Sequence, residues 1–399
     1  MRHRWIPVLI ILAMALVVSC KKSDDDPEPI NIEAESILPY SEVSAGGSFI
    51  LAIRTSGTLW SWGLNKNGQL GLGNWANRSE PQIVGNERNW VTVSAGEGYT
   101  LAVNADHYIY GWGMNIYGQL GDGTFSNSNE YPAPGKIHGQ PVWIDVSAGS
   151  DHTLALRGDG TIWACGRNDY GQLGDSTKKH RSVLVQINVD NDWATVQGGK
   201  DFTIAVKTNG SLWSWGQNAE GRLGLGTIIP SCVIKPTQVG EDRDWTREKT
   251  GISAGLEHVI ALKTDGTLWT WGGNPDGELG DGTFSSRSTP AQVGDDSDWA
   301  AVSAGYNHSL AIKKDGTLWA WGMNNCGQLG DRTYETKASP VKIGTDKDWA
   351  KVDAGTYFSA AIKTDGSLWV WGDNTLGQLG NGIRGVGQMV NLPILVGGE

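Results

Sequence analysis

The sequence predicts an all-β protein, a seven-bladed β-propeller, on three observations. One unit recurs seven times, with starts at Ser44, Ser94, Ser147, Gln197, Ser253, Ser303 and Asp353 and spacings of 50, 53, 50, 56, 50 and 50 residues. A fixed period of this length marks a solenoid, an array or a propeller. Each unit holds four short strand-like runs, the content of one propeller blade. Helical periodicity is absent along the chain.

Composition agrees with that class. The chain has 399 residues, 39% hydrophobic and 19% charged, as a globular protein does. It carries 56 Gly and 20 Trp. Gly at that level without a collagen period means many tight turns. The formal net charge is −11, and no Lys/Arg cluster supplies the basic footprint that neutralises phosphates. No nucleic-acid partner is expected.

The first element is a targeting segment. Arg2 and Arg4 form a positive n-region, and Ile6 to Val18 form an apolar run too short for a comfortable bilayer span. The run ends in Val17-Val18-Ser19-Cys20, which resembles a bacterial lipobox. Residues 1–19 are then a lipoprotein signal peptide and Cys20 is the acylated first residue of the mature chain; loss of Arg2 and Arg4 takes the charge from −11 to −13. An ordinary secretory signal is the alternative. Residues 20–36, rich in Asp, Pro and Ser, read as a flexible acidic tether. The acidic run after the Cys resembles the export signal of surface lipoproteins in Bacteroidetes-type bacteria. The expected location is the bacterial outer membrane, at the cell surface or on the periplasmic face.

Residues 37–399 form the repeat domain. Each unit opens on SAG, runs through an apolar strand to a Gly turn, and continues as LWxWG, NxxGQLG, a PxxVG strand and a DWxxV tail. In unit five, HVIALKTDGTLWTWG is two strands around the Asp265-Gly266 hairpin turn. PAQV (Pro290–Val293) and the WAAV tail at Trp299 supply two more. The seventh unit lacks a DWxxV tail, while Tyr40-Ser41-Glu42-Val43 precedes the first. This N-terminal strand is expected to complete the last blade and close the ring, which removes exposed strand edges.

These units resemble the RCC1 repeat, named after the regulator of chromosome condensation. The resemblance rests on VSAGSDHTLAL (Val146–Leu156), VSAGYNHSLAI (Val302–Ile312) and NIYGQLGDGT (Asn115–Thr124), and it covers about residues 37–399. It implies a seven-bladed propeller in which variable residues on one rim contact partners.

Positions that repeat in every unit are read as frame. The Asn that leads each NxxG segment suits turns needing positive φ and side-chain bonds to the backbone. The second aromatic of WxWG, from Trp62 to Trp371 with Cys165 in unit three, packs blade on blade with its N–H aimed at a turn carbonyl. The fifth position after the SAG serine holds Phe49, Tyr99, His152, Phe202, His258, His308 and Phe358. A site that accepts His, Phe and Tyr wants a flat ring rather than a metal. Cys165, Cys232 and Cys326 lie in different units without CxxC spacing, so neither zinc nor a disulfide is indicated. No cofactor and no catalytic residue is expected.

Positions that fail to repeat carry the functional suspicion. The two residues after each SAG glycine vary completely and nominate Glu97, Asp151, Lys200, Glu257, Tyr306, Asn307 and Tyr357 as partner-binding residues. The variable pair inside NxxG adds Tyr117 and Tyr170. Unit four, 56 residues long, carries Ile228–Pro236 (IIPSCVIKP), an insertion suited to capping the ring or touching a partner.

The function read from this is a lipid-anchored extracytoplasmic scaffold that recognises a protein, or a glycan, through one rim, with membrane contact through the N-terminal lipid only. Guanine-nucleotide exchange, the activity of the family's namesake, is an alternative that the secretion signal opposes. A propeller hydrolase or lyase is a third, opposed by the lack of any nucleophile–base–orienter set.

Overall fold

The computed structural model describes residues 30–126, 131–137, 139 and 142–397. The signal peptide, Cys20 and most of the tether lie outside the described residues. The chain from Asn31 on is one compact unit. It is built of seven four-stranded antiparallel sheets, each made of four strands consecutive in sequence. Blade one comprises Tyr40–Ala45, Phe49–Arg54, Leu59–Gly63 and Arg78–Ile83. The second strand of each blade is buried on both faces, as FILAIR in blade one and HSLAIK in blade six are. Two-sided burial follows from sandwiching between neighbouring blades, and it explains why these runs are apolar without alternation.

One expectation is corrected. Tyr40–Ala45 pairs with Phe49–Arg54 of its own blade, with Val43 opposite Ala52. It does not complete the last sheet, whose four strands run from Trp349–Ala354 to Met389–Leu395. The WxxV tail is therefore the first strand of the next blade. It runs without a break into SAG, and the short turn after SAG can only bring back the adjacent antiparallel strand. The N-terminal strand still makes the closing junction, but through side chains and not through a shared sheet. Ala45 N donates to Asp353 Oδ2 at 2.8 Å, and Lys351 Nζ reaches Ser41 O at 2.6 Å. Ile50, Ala52 and Trp62 share a core with Phe358, Ile362 and Leu379.

Around the central channel the same bond recurs from blade to blade. The first-strand serine Oγ accepts from the backbone N–H that follows the equivalent serine one blade on, as in Ala95 N to Ser44 (3.1 Å), Ala148 N to Ser94 (2.9 Å) and Ala354 N to Ser303 (3.0 Å). Asp353 stands in this belt where most blades have Ser. Burial pushes its carboxyl up to about 6.

The last residues of the expected tether differ from a free linker. Ile32–Ser36 is a short helix capped by Asn31, and its Glu35 is buried against Ser56 (2.6 Å), Thr58 and Arg88. These partners belong to the end of the propeller that carries the Gly57-type hairpins.

The six residues by which unit four exceeds 50 divide between two places. Two lie in the loop before Pro236, where Ile228 and Ile229 are exposed; neither lines the channel. The other four lie between Trp245 and Ser253 and form a short turn, Lys249–Gly251. Lys249 Nζ bonds Asp145 Oδ1 at 2.5 Å and Val146 O at 3.2 Å, so this turn leans from blade five to blade three beside a channel of about 370 Å³.

Candidate functional site

The frame comes first, because it decides what is left over. The Nε1–H of the second Trp in each WxWG donates to a carbonyl in the NxxGQ loop of the preceding blade: Trp112 to Gln69 (2.9 Å), Trp215 to Gln172 (2.9 Å), Trp321 to Glu278 (2.8 Å) and, across the junction, Trp62 to Gln378 (3.0 Å). Cys165 Sγ faces Gln119 O in the same way. The leading Asn holds its loop from inside. Asn65 Oδ1 accepts from Leu70 N, and its Nδ2 donates to Asn74 O and Ala76 O. His152, His258 and His308 are fully buried, and their Nε2 atoms meet Thr203, Ser309 and Ser359 hydroxyls of the next blade. Burial pushes all three down to about 3, so the rings are neutral. They pack as rings, as Phe49 does.

The turn after SAG and the NxxG loop meet at one end of each blade: Leu64 N, just past WG, donates to Ser48 O at 2.9 Å. The first variable residues, among them Glu97, Lys200, Leu256 and Tyr306, line the channel mouth at this end, around a space of about 100 Å³. Three nominated residues, Glu97, Lys200 and Tyr306, thus converge there. Tyr357 joins them through its ring, 6.0 Å from that of Tyr306.

Four of the second variable residues, Asp151, Asp201, Glu257 and Asn307, are outside the residues that line the mouth and are paired. Asp151 and Asp201 flank Arg167 (3.7 and 3.2 Å), Glu257 meets the buried Arg222 (3.0 Å), and Asn307 donates to Asp276 (2.6 Å). Tyr117 and Tyr170 both stand beneath the Arg167 guanidinium, at 5.4 and 5.9 Å. The nominated residues therefore form an inner ring at the mouth, a cluster of Asp151, Tyr117 and Tyr170 around Arg167, and two separate pairs at Glu257 and Asn307.

Carboxyls dominate this end. Burial pushes Asp151 up to about 6, against the opposing pull of Arg167, with Asp201 and Glu97 adding to the rise. Burial likewise raises Glu97 and Asp201, and carries Glu278 up to about 7. The fields of Glu97, Glu257 and Asp201 reach the Tyr306 phenol and raise it further, after burial.

Sequence reasoning missed Arg167, Arg222 and Glu278. The signal existed. Arg167 is the residue just past WG, a position that varies as freely as the nominated pairs, and Arg222 and Glu278 replace the Gln of NxxGQLG.

Comparison with known proteins agrees with this architecture. The model of the RCC1-like domain matches residues 132–396, and that of the regulator of chromosome condensation (RCC1) repeat matches residues 56–103 and 106–156. The chain belongs to the RCC1 repeat family. Among RCC1 relatives, it is 31% identical over 255 residues to the human E3 ubiquitin-protein ligase HERC2, which covers 63% of this chain and 5% of HERC2. It is 30% identical over 272 residues to the Ultraviolet-B receptor UVR8 of Arabidopsis thaliana, covering 68% of this chain and 50% of UVR8. The chain thus spans a small fraction of HERC2 and about half of UVR8. The RCC1 fold recurs in solved structures. Human WBSCR16 superposes with a TM-score of 0.74 at 21% identity, over 85% of this chain and 93% of that one. Yeast RCC1 (Prp20), in a structure bound to Kap60, gives 0.75 at 20% identity, over 98% and 91%.

Proposed function

We propose that this RCC1-type propeller is a binding scaffold that holds a partner protein at the channel mouth, carried on a membrane by a lipid on Cys20. One observation carries the reading: the residues that break the sevenfold repeat gather at one end, on a frame whose repeating residues are committed to packing. Glu97, Lys200, Tyr306 and Tyr357 would make the direct contacts. Arg167 and Asp151 would shape the margin. Aromatic and Arg side chains are the residue types that anchor protein interfaces. Yeast RCC1 (Prp20), of the same fold, binds Kap60, and it also binds Gsp1p and histones, which supports a protein partner as the mode. The reading includes no catalytic step. A glycan at the same mouth is the second reading, favoured by the Tyr306–Tyr357 pair beside hydrogen-bonding carboxylates.

The test is affinity capture from envelope extracts, comparing the unaltered chain with a Glu97→Lys/Tyr306→Ala variant and with Lys347→Ala at the opposite end. A protein retained by the first and third and lost by the second is expected. Identical capture by all three would sink the reading.

A further inference from the structure

The leading Asn of each NxxG segment donates to the carbonyl nine residues on, and in blades one, three and five also to the carbonyl eleven residues on. Asn65 reaches Asn74 O and Ala76 O (2.8 and 3.2 Å), and Asn274 reaches Thr283 O and Ser285 O (3.0 and 3.2 Å). In these three blades both flanking carbonyls turn in, and in all seven the residue ten positions on from the Asn is exposed. In five of the seven blades that residue is large and apolar: Trp75, Phe125, Ile228, Phe284 and Tyr334, each 49–58% exposed. The remaining two are the exposed cations Lys178 and Arg384. None is acidic, in a chain of net charge −11. Because the blades are equivalent, these residues form a perimeter around the same end that bears the mouth.

Exposed large apolar residues repeated at one structural position are more than scattered surface hydrophobics. Trp, Tyr, Phe and Arg are the types that anchor protein interfaces. The charge pattern is complementary to one kind of occupant. At and around the mouth Glu97, Asp151, Asp201, Glu257 and Asp276 outnumber Lys200, Arg167 and Arg222, while the perimeter residues are apolar or cationic, which suits a folded protein with a basic centre and an apolar, acid-bearing border. A lipid surface fits less well, because the helix Ile32–Ser36 is docked at the opposite, hairpin end, where the chain enters the propeller.

We infer that the perimeter belongs to the partner interface: one broad protein covers the mouth and the ring together. The inference rests on the protein-scaffold reading above and assigns Trp75, Phe284 and Tyr334 as outer contacts. A stable interface takes about 800 Å² on each side, and a partner that reaches from the mouth to the perimeter has the wider face from which to draw it.

The test places the photo-crosslinker p-benzoyl-phenylalanine singly at Tyr306, Phe284 and Tyr334 in the full-length chain, in the cells that make it. Thermal melts first check that each variant is folded. An adduct of the same protein and mass is expected from all three positions, with each yield reduced about tenfold or more by Glu97→Lys in the same chain. An adduct from Tyr306 with none from Phe284 and Tyr334 overturns this inference and leaves the mouth reading standing. Lipid or carbohydrate adducts at the perimeter, or an adduct at twice the chain's mass, overturn it too. No adduct from any position overturns both readings.

Discussion

Trp62 Nε1 donates to Gln378 O at 3.0 Å, joining residues of the first and last blades. The carbonyls that accept the other tryptophans mostly have a second donor. Gln69 O takes both Trp112 Nε1 and Thr100 Oγ1, and Gln328 O takes Trp371 and Ser359. Blade one has Ile50 where blade two has Thr100, so Trp62 is the donor that Gln378 O relies on.

This asymmetry makes the closing junction sensitive to one hydrogen bond. Trp62→Phe leaves a buried carbonyl unpaired, whereas after Trp112→Phe the hydroxyl of Thr100 still serves Gln69. Both lose ring area, but Trp62→Phe is expected to cost about 1 kcal/mol more. Urea titration of the two variants measures the difference, and equal midpoints would contradict it.

Glu278 is buried, and its Oε2 accepts from Asp276 N at 2.8 Å. Gln69, Gln119, Gln172, Gln328 and Gln378 make the same bond with an amide oxygen. Burial carries the Glu278 carboxyl up to about 7, above its unfolded value of about 4.3. A folded pKa above the unfolded one means that the folded form holds the proton more tightly. Its contribution is full below about pH 4 and is lost as the pH climbs past 7. Glu278→Gln keeps the acceptor and removes the titration. The variant should match the parent near pH 4 and exceed it by about 3–4 kcal/mol at pH 8. A gain that does not depend on pH would disprove the assignment.

His152 and its siblings are packing rings, and Gly149 shows why a glycine precedes them. A Cβ at Gly149 would lie 2.2 Å from His152 Cε1 and 2.7 Å from Gly199 O. Gly149→Ala is expected to cost at least about 1–3 kcal/mol through overpacking. His152→Phe repeats what blades one, four and seven already hold, and loses only the bond to Thr203, about 1 kcal/mol. Calorimetric melts of both variants, with and without added zinc, check the pair. A zinc-dependent shift in the parent that His152→Phe abolishes would restore the metal reading.

The period, the strands and the flat-ring site were legible because each is stated seven times over: where Phe49, Tyr99 and His152 interchange, the common physical demand is visible without coordinates. The blade boundary was not legible. DWxxV and SAG are contiguous, and only pairing shows that Val43 faces Ala52 and that the tail opens a blade. The paired side chains were also hidden, since the sequence does not state that Arg167 reaches Asp201, 34 residues away. The perimeter was readable in principle: Phe125 and Phe284 share the run LGDGTFS, but Trp75, Ile228 and Tyr334 hold the same register between different neighbours.

Each sheet is drawn from one uninterrupted stretch of chain, and the junction between the first and last blades uses bonds of the kind found at the other six. The closing junction has one donor fewer than most, yet no sheet crosses it or any other blade boundary. New termini cut at any blade boundary, with the old ones joined, would leave every sheet whole. For the same reason, duplication or loss of a whole unit changes the circumference without breaking a sheet. Such a design lets the number of blades drift in evolution while the rules of contact stay fixed.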